Sequence, residues 1–335
     1  MRAAYIERLG PPEEIRCGTL PDPEPGPGEV LVEVAASAVN PVDTLVRAGA
    51  FRTPVTFPFA VGRDLTGTVL AAGPGAEGFA PGERVWCNSL GHGGRQGAAA
   101  ERAAVPSDRL YRLPPGADPV EAAAVLHPAA TAWLALFRHA GLLAGETVLV
   151  AGAAGNVGSA LVLQAARAGA RVIATAHPRD EEYVRSLGAH EVLDYRRPAG
   201  ARLRALCPDG IDVHVDTSGR QRLAEVVDLL AWRGRIVLLA GTAARPELPA
   251  GQLYQRDGSI LGFVISRATT AELAGAAEAV NALLAEGALR ARAVERLPLE
   301  AAPEAHARVE NGRVRGGHRL VLLPGYPGLG AAAGA

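Results

Sequence analysis

The sequence predicts an α/β chain in two parts, a barrel or sandwich of short strands and a doubly wound parallel sheet, on three observations. In the first third, short β segments alternate with turn residues and no long helix intervenes. From Pro119 onward, β-type and helical stretches alternate, the pattern of parallel strands joined by crossover helices. After one further helical stretch, the last part of the chain is extended again.

The elements follow in order. Val30–Val34 reads as a strand preceded by the Pro/Gly cluster Pro21–Gly28, Gly67–Leu70 runs into the turn Gly73-Pro74-Gly75, and Gly82–Trp86 opens another strand. Val120–Val125 and Ala130–Phe137 have alanine and leucine at helical spacing. Then come β, helix, β, helix at Val148–Val150, Val157–Ala168, Val172–Thr175 and Glu181–Leu187. The alternation goes on through Val213–Asp216, a helical Leu223–Leu230 and a strand Ile236–Ala240, before a helix from about Ala271 to Glu286 and a last strand Arg319–Leu323. The expected domains are 1–119 with 267–324, and 120–266, leaving 325–335, glycine and alanine without a core-forming pattern, as a disordered tail.

With 335 residues, 48% of them hydrophobic, the chain can fill two cores. A net charge of -1 supplies no large electropositive field for nucleic acid or an anionic membrane. All 34 basic residues are arginine; without lysine, neither a Schiff base nor a P-loop can be built. Cys17, Cys87 and Cys207 are odd in number and far apart, so they frame neither disulfides nor a zinc site, and a reducing cytoplasm is expected. Charges within Met1–Glu14 speak against a signal peptide. Thr147–Ala166 carries no charge, but its glycines fit a strand, turn and helix better than a membrane span.

That segment, Thr147-Val148-Leu149-Val150-Ala151-Gly152-Ala153-Ala154-Gly155-Asn156-Val157-Gly158, sets glycines at a strand-to-helix junction. Glycine permits the tight turn and lets backbone approach a pyrophosphate, while the helix N-terminus receives its charge. The spacing is G-x-x-G-x-x-G, so the strand before and helix after carry much of the inference; a glycine-rich turn that binds nothing is the alternative. At the end of the next strand, Thr175-Ala176-His177-Pro178-Arg179 has no carboxylate for a ribose 2′-hydroxyl. A 2′-phosphate, with roughly -1.5 to -2 charges, would find Thr175, His177 and Arg179, so NADPH is the expected cofactor. Arg179 can equally face solvent ahead of the next helix.

Seven segments, in order, resemble the zinc-free quinone oxidoreductase, or zeta-crystallin-like, branch of the medium-chain dehydrogenase/reductases. They are Ala38–Asp43, Gly62-Arg63-Asp64 with Gly67, Leu142–Gly158, Gly188-Ala189 before Val192–Tyr195, Asp216–Gly219, Gly234–Val237 and Glu304-Ala305-His306. The resemblance covers Met1 to about Pro324. It implies a GroES-like β-barrel catalytic domain, rejoined by the C-terminal segment, and an inserted Rossmann doubly wound sheet. It further implies Tyr195 at the adenosine end of the cofactor, Gly241 with its neighbour Ala240 toward the nicotinamide, Ser218, Phe263 and Ile265 among the cofactor contacts, and Thr131 beside the nicotinamide. As plain structure, Tyr195 ends a strand, Gly241 terminates one and Thr131 is helix interior.

In the superfamily's zinc alcohol dehydrogenases, metal ligands stand at positions aligned with Asn40, Arg63 and His127. Of these only His127 is a metal donor, and catalytic zinc needs three. Reduction of a quinone or activated C=C bond needs hydride and stabilisation of an oxyanion rather than a Lewis acid. Asn40 and Arg63 are expected to hold the acceptor carbonyl, water or His127 to supply the proton, and Asp43 and Asp64 to position the donors. The structural alternatives are a turn for Asn40, solvent or an Asp64 pair for Arg63, and helix capping for Asp43 and His127. Leu45 stands where many quinone oxidoreductases have tyrosine, which shifts weight toward enones. The Gly91–Gly97 stretch, with Arg95, is either a cover for the site or a long hairpin. The expected substrate is a small quinone or enone. Enoyl-thioester reduction and non-catalytic NADPH binding are the alternatives; the resemblance implies a homodimer through edge strands of the doubly wound sheets, with Ile260–Ile265 as the apolar candidate and a tetramer left open.

Overall fold

Burial alternates along Glu29–Ala38, where Val30, Val32, Val34 and Ala36 turn inward, and that period of two makes this strand the centre of the first unit. The computed structural model describes residues 1–220 and 222–325. The chain divides into two compact units, Met1–His127 with Thr269–Ala335, and Pro128–Ala268. The expected tail lies, apart from Gly325, outside the described residues.

In the first unit a seven-stranded sheet runs Ala293–Pro298, His318–Leu323, Glu29–Ala38, Leu65–Ala72, Arg84–Cys87, Tyr111–Arg112, with Arg102–Pro106 also on Glu29–Ala38. Its pairings are antiparallel except the first, and a three-stranded sheet, Arg16–Thr19, Arg2–Ile6 and Phe59–Ala60, accompanies it. Two apolar clusters fill the unit, one around Ile6, Phe59 and Leu320, the other around Val32, Leu65 and Val85.

The second unit has one six-stranded parallel sheet in the order Glu191–Asp194, Arg171–Ala176, Thr147–Ala151, Ile211–Asp216, Leu230–Leu238, Ser259–Gly262. Ranked by sequence this is 3-2-1-4-5-6, whose reversal beside the first strand opens a crevice at the strands' carboxyl ends. The uncharged stretch from Thr147 forms the strand Thr147–Ala151 and the helix Asn156–Arg167. Among the described residues one helix, Pro119–His139, is long and apolar enough to cross a membrane, but 78% of its apolar window is buried inside the protein.

Two expectations are corrected. The helical stretches 120–125 and 130–137 are one helix, Pro119–Trp133, with Pro128 inside it, continuing as a wider turn over Leu134–His139. Leu223–Leu230 is helical only over Leu223–Val227, and Leu230 already begins the strand Leu230–Leu238. There, parallel pairing with Ile211 overrides the helical spacing of leucine and valine.

Candidate active site

Chain order and sheet register build a buried charge cluster in the first unit. Glu29–Ala38 delivers Asn40 to the head of the helix Pro41–Arg47, where proline fits the first turn. Antiparallel pairing of Ala38 with Val321 and of Ser37 with Leu322 draws Arg319 to Asn40. Asn40 Oδ1 accepts from an Arg319 guanidinium nitrogen at 2.6 Å, and its Nδ2 donates to Asp64 Oδ2 at 2.9 Å. The Asn40 backbone N–H donates to Asp43 Oδ2 at 2.8 Å. Arg63 Nε lies 3.9 Å from Asp43 Oδ1, and His127 Nδ1 lies 3.6 Å from Asp64 Oδ1.

All six side chains are buried, Arg63 at 1% and Asp64 at 0% exposure, so the solvent-facing alternative for Arg63 is excluded. No nitrogen of the Arg63 guanidinium has a hydrogen-bond partner among the described residues, an unusual state for a buried donor set. His127 stands inside the helix Pro119–Trp133, not at its end, so it caps nothing; Asp43 both receives the Asn40 N–H and joins the cluster. Burial pushes the Asp43 carboxyl up to about 6 against the opposing charge of Arg63. Burial, then repulsion from Asp43, pushes Asp64 up to about 8. Burial, with Arg63 and Arg319 adding to it, holds His127 well below its ordinary value, so its ring is neutral at pH 7.

Among the described residues no group of three or more His, Cys, Asp or Glu side chains could hold a metal ion. At the positions aligned with zinc ligands, an amide already bonded on both sides and a guanidinium do not fit zinc.

The second unit supplies a glycine turn between the strand Thr147–Ala151 and the helix Asn156–Arg167. Gly152 takes a positive φ of 79°, and a Cβ there would stand 2.6 Å from Thr217 Oγ1. At Gly158 a Cβ would stand 2.1 Å from the Gly152 carbonyl oxygen, so the helix can approach the strand only through glycine. Gly155 precedes the helix Asn156–Arg167 with no side-chain cap, leaving the first-turn N–H groups of Asn156 and Val157 for an anion. Ala153 and Ala154 complete the turn, and the Ala153 N–H donates to the Thr175 carbonyl at 3.1 Å.

A cavity of ≈ 280 Å³ opens beside this turn, lined among others by Gly152, Thr175, Tyr195, Asp216, Ser218 and Arg220. Asp216 Oδ1 accepts from the Ser218 hydroxyl and backbone N–H, both at 2.7 Å, which fixes the turn after the strand. His177 stands edge-on to Tyr195, with its Nδ1 accepting from the Arg179 N–H at 3.2 Å. Arg179 is not in the cavity wall; its Nε lies 3.7 Å from Asp180 and its side chain is 64% exposed. Arg220 does stand there, its guanidinium 4.7 Å over the Tyr195 ring. The sequence reading missed it, although an arginine right after the Asp216–Gly219 turn is the available signal.

The remaining expected contacts lie outside that cavity wall. Gly241 has a positive φ of 86°, and Gly219 packs so closely that its Cβ would meet the Gly241 nitrogen at 3.1 Å. Ala240 precedes it, Phe263 stacks on His139 with centroids 4.2 Å apart, and Ile265 is buried in a short turn. Thr131 is buried in the helix that also carries His127.

A glycine-turn nucleotide site on a 3-2-1-4-5-6 parallel sheet, together with a separate β unit carrying a buried charge cluster, defines a two-domain dehydrogenase/reductase. Comparison with known proteins makes this specific. Residues 26–115 match the alcohol dehydrogenase GroES-like domain, and 156–282 match the zinc-binding dehydrogenase family. The chain is 31% identical to human quinone oxidoreductase over 327 residues, 96% of this chain and 98% of that one. It superposes on a solved NAD-dependent alcohol dehydrogenase with a TM-score of 0.86 at 34% identity, covering 97% of this chain and 100% of that one. A mycobacterial protein solved with NADPH superposes with a TM-score of 0.82 at 29% identity, again over 97% and 100% of the two chains. The chain belongs to the medium-chain dehydrogenase/reductase superfamily, in its zeta-crystallin-like quinone oxidoreductase branch. It is an oxidoreductase.

Proposed function

We propose that this chain is a zinc-independent NADPH-dependent reductase of small quinones or α,β-unsaturated carbonyls. One observation carries the reading: at a position aligned with a zinc ligand of the superfamily's zinc alcohol dehydrogenases, this chain buries the Arg63 guanidinium in one cluster with Asp43, with no hydrogen-bond partner among the described residues. The glycine turn, Thr175, Tyr195, Ser218 and Arg220 would hold NADPH, which would supply the hydride when bound. Arg63 attracts the acceptor's oxygen as negative charge develops on it. Asn40, which donates to Asp64 through Nδ2 and accepts from Arg319 at Oδ1, holds the cluster in shape; its second Nδ2 hydrogen, with Nδ2 3.5 Å from the Ala38 carbonyl oxygen, is the one that can turn to the acceptor. Asp43 fixes Asn40 through its backbone N–H, His127 handles the proton, and Thr131 lies beside the cofactor. His177 and Arg179 support the 2′-phosphate from outside the cavity wall, while Arg220 replaces Arg179 as the principal cation.

The resemblance to human quinone oxidoreductase supports the acceptor class, and that to the NADPH-bound mycobacterial protein supports the cofactor. Ala240, Gly241, Phe263 and Ile265 belong to the nicotinamide end in this reading. The proposed domains follow the two units, the assembly is a homodimer through the edge strand Ser259–Gly262, and the free cysteines suit the cytoplasm.

The test is an acceptor panel of benzoquinone, phenanthrenequinone, 2-alkenals and an enoyl thioester, each with NADPH and with NADH. Turnover of quinones or enones with NADPH preferred is the expected result. Preference for NADH, or thioester turnover alone, overturns it, and NADPH binding without turnover makes the chain a binding protein. Asn40→Ala is expected to lower kcat about tenfold to a hundredfold with little change in NADPH Kd, since it loosens the charge cluster and leaves the nucleotide site intact.

A further inference from the structure

Asp64 is fully buried, and one of its two carboxyl oxygens stands where a proton would face an imidazole nitrogen. Its Oδ2 accepts from Asn40, while Oδ1 has no hydrogen-bond donor among the described residues and faces His127 Nδ1 at 3.6 Å. The His127 ring donates to the Asn88 backbone carbonyl. A neutral imidazole that donates through one nitrogen offers a lone pair on the other, so a carboxylate oxygen opposite it sets acceptor against acceptor. A proton on the carboxyl turns that clash into a donor–acceptor pair.

The other groups around Asp64 agree. Asp43 faces it from the helix Pro41–Arg47 and repels a second negative charge. Arg63, from the same loop, and Arg319, from the strand His318–Leu323, oppose that repulsion, but neither hydrogen-bonds to Asp64. Cys87, from the strand Arg84–Cys87, is a buried thiol that burial keeps protonated. Of these neighbours only His127, Asp43 and Cys87 can exchange a proton, and His127 has the largest residual exposure of the three, 9% against 5% and 0%.

Building on the reading under Proposed function, we propose that Asp64 and His127 form the proton-delivery pair of the reduction, with Asp64 holding the proton and His127 passing it on. After the acceptor has taken up hydride, its oxygen carries an electron pair and needs one proton. The N–H bond of His127 that now points to Asn88 breaks as the acceptor O–H forms, and the Asp64 O–H breaks as the opposite ring nitrogen gains a hydrogen. A proton from water then returns to the Asp64 carboxylate through the ring, and no electrons move in either transfer. Asp64 acts through His127 and is a positioning residue. The upward push on Asp64 to about 8 and the downward push on His127 place the proton on the carboxyl at neutral pH.

Two measurements on the full chain test the pair. Infrared spectroscopy of the ¹³C-aspartate-labelled protein at pH 7, without substrate, is expected to show a protonated-carboxyl C=O band that disappears as pH rises past about 8. Asp43, pushed only to about 6, is largely ionised there and does not carry this band. Absence of the band overturns the proposal, and this arm stands even if a variant does not fold. In kinetics with NADPH and an active quinone or enone, wild-type kcat is expected to fall above about pH 8, and Asp64→Asn to lose that limb and about 100-fold in kcat with NADPH Kd unchanged. An alkaline limb that survives in Asp64→Asn overturns the pair alone. No turnover with any acceptor overturns the functional reading and the delivery role with it, leaving the infrared band to report the buried proton.

Discussion

Arg220 and His306 show how single side chains acquire properties from groups far away in sequence. Arg220 lies over Tyr195 in the cavity wall, where a 2′-phosphate would form charge-assisted hydrogen bonds. Arg220→Ala is therefore expected to raise KM for NADPH about tenfold to a hundredfold while leaving KM for NADH nearly unchanged; equal losses for both cofactors would remove Arg220 from specificity. His306 is fully buried, neither ring nitrogen has a hydrogen-bond partner among the described residues, and burial, with Arg47 adding to it, pushes it down to about 3. Its folded value is below the unfolded 6.5, so the unfolded chain binds the extra proton and stability falls as pH drops from about 6.5 toward 3. His306→Leu is expected to remove that loss, roughly 2–3 kcal/mol at about pH 4.5, read as a smaller drop in Tm between pH 7 and 4.5 than in the wild type. Asp64 has the opposite sign: its folded value lies above the unfolded one, so its contribution is present in acid and is lost as pH rises from about 4 toward 8.

At the scale of elements, the strand, glycine turn and helix from Thr147 to Arg167 were legible because each part carries its own chemistry: an apolar run, glycines where a Cβ has no space, and a helix without a capping side chain. Gly158→Ala is expected to destabilise the chain by about 1–3 kcal/mol and to weaken NADPH binding, because the new Cβ meets the Gly152 carbonyl and Ala153 Cα, both backbone atoms. A thermal melt with an NADPH titration checks both effects, and wild-type values in each would show that the turn has slack. The stretch Leu223–Leu230 was not legible, since leucine and valine serve a helix or a buried strand equally well and only the partner strand Ile211–Asp216 decides. The single helix across Pro128 was hidden for a related reason. Proline argues locally for a break, whereas nearly complete burial of Ala122–Ala130 holds the helix together.

For the whole molecule, bound cofactor is expected to add to stability and metal to add nothing. NADPH at 100 times its Kd is expected to add about 2.7 kcal/mol, a rise of about 4 °C in Tm. Exhaustive chelation is expected to change neither Tm nor turnover, and a loss of either on chelation would return zinc to the site. By itself, the sequence determined the two-part α/β architecture, the glycine turn, the family and most of the residues in the buried cluster, because period, turn chemistry and missing metal donors are properties of short segments. Tertiary structure alone decided that Arg319 bonds Asn40 across 279 residues, that Asn40 is committed to its neighbours, and that Arg220 rather than Arg179 stands over Tyr195. Strand register and burial set those relations, and both depend on partners that a local segment does not contain.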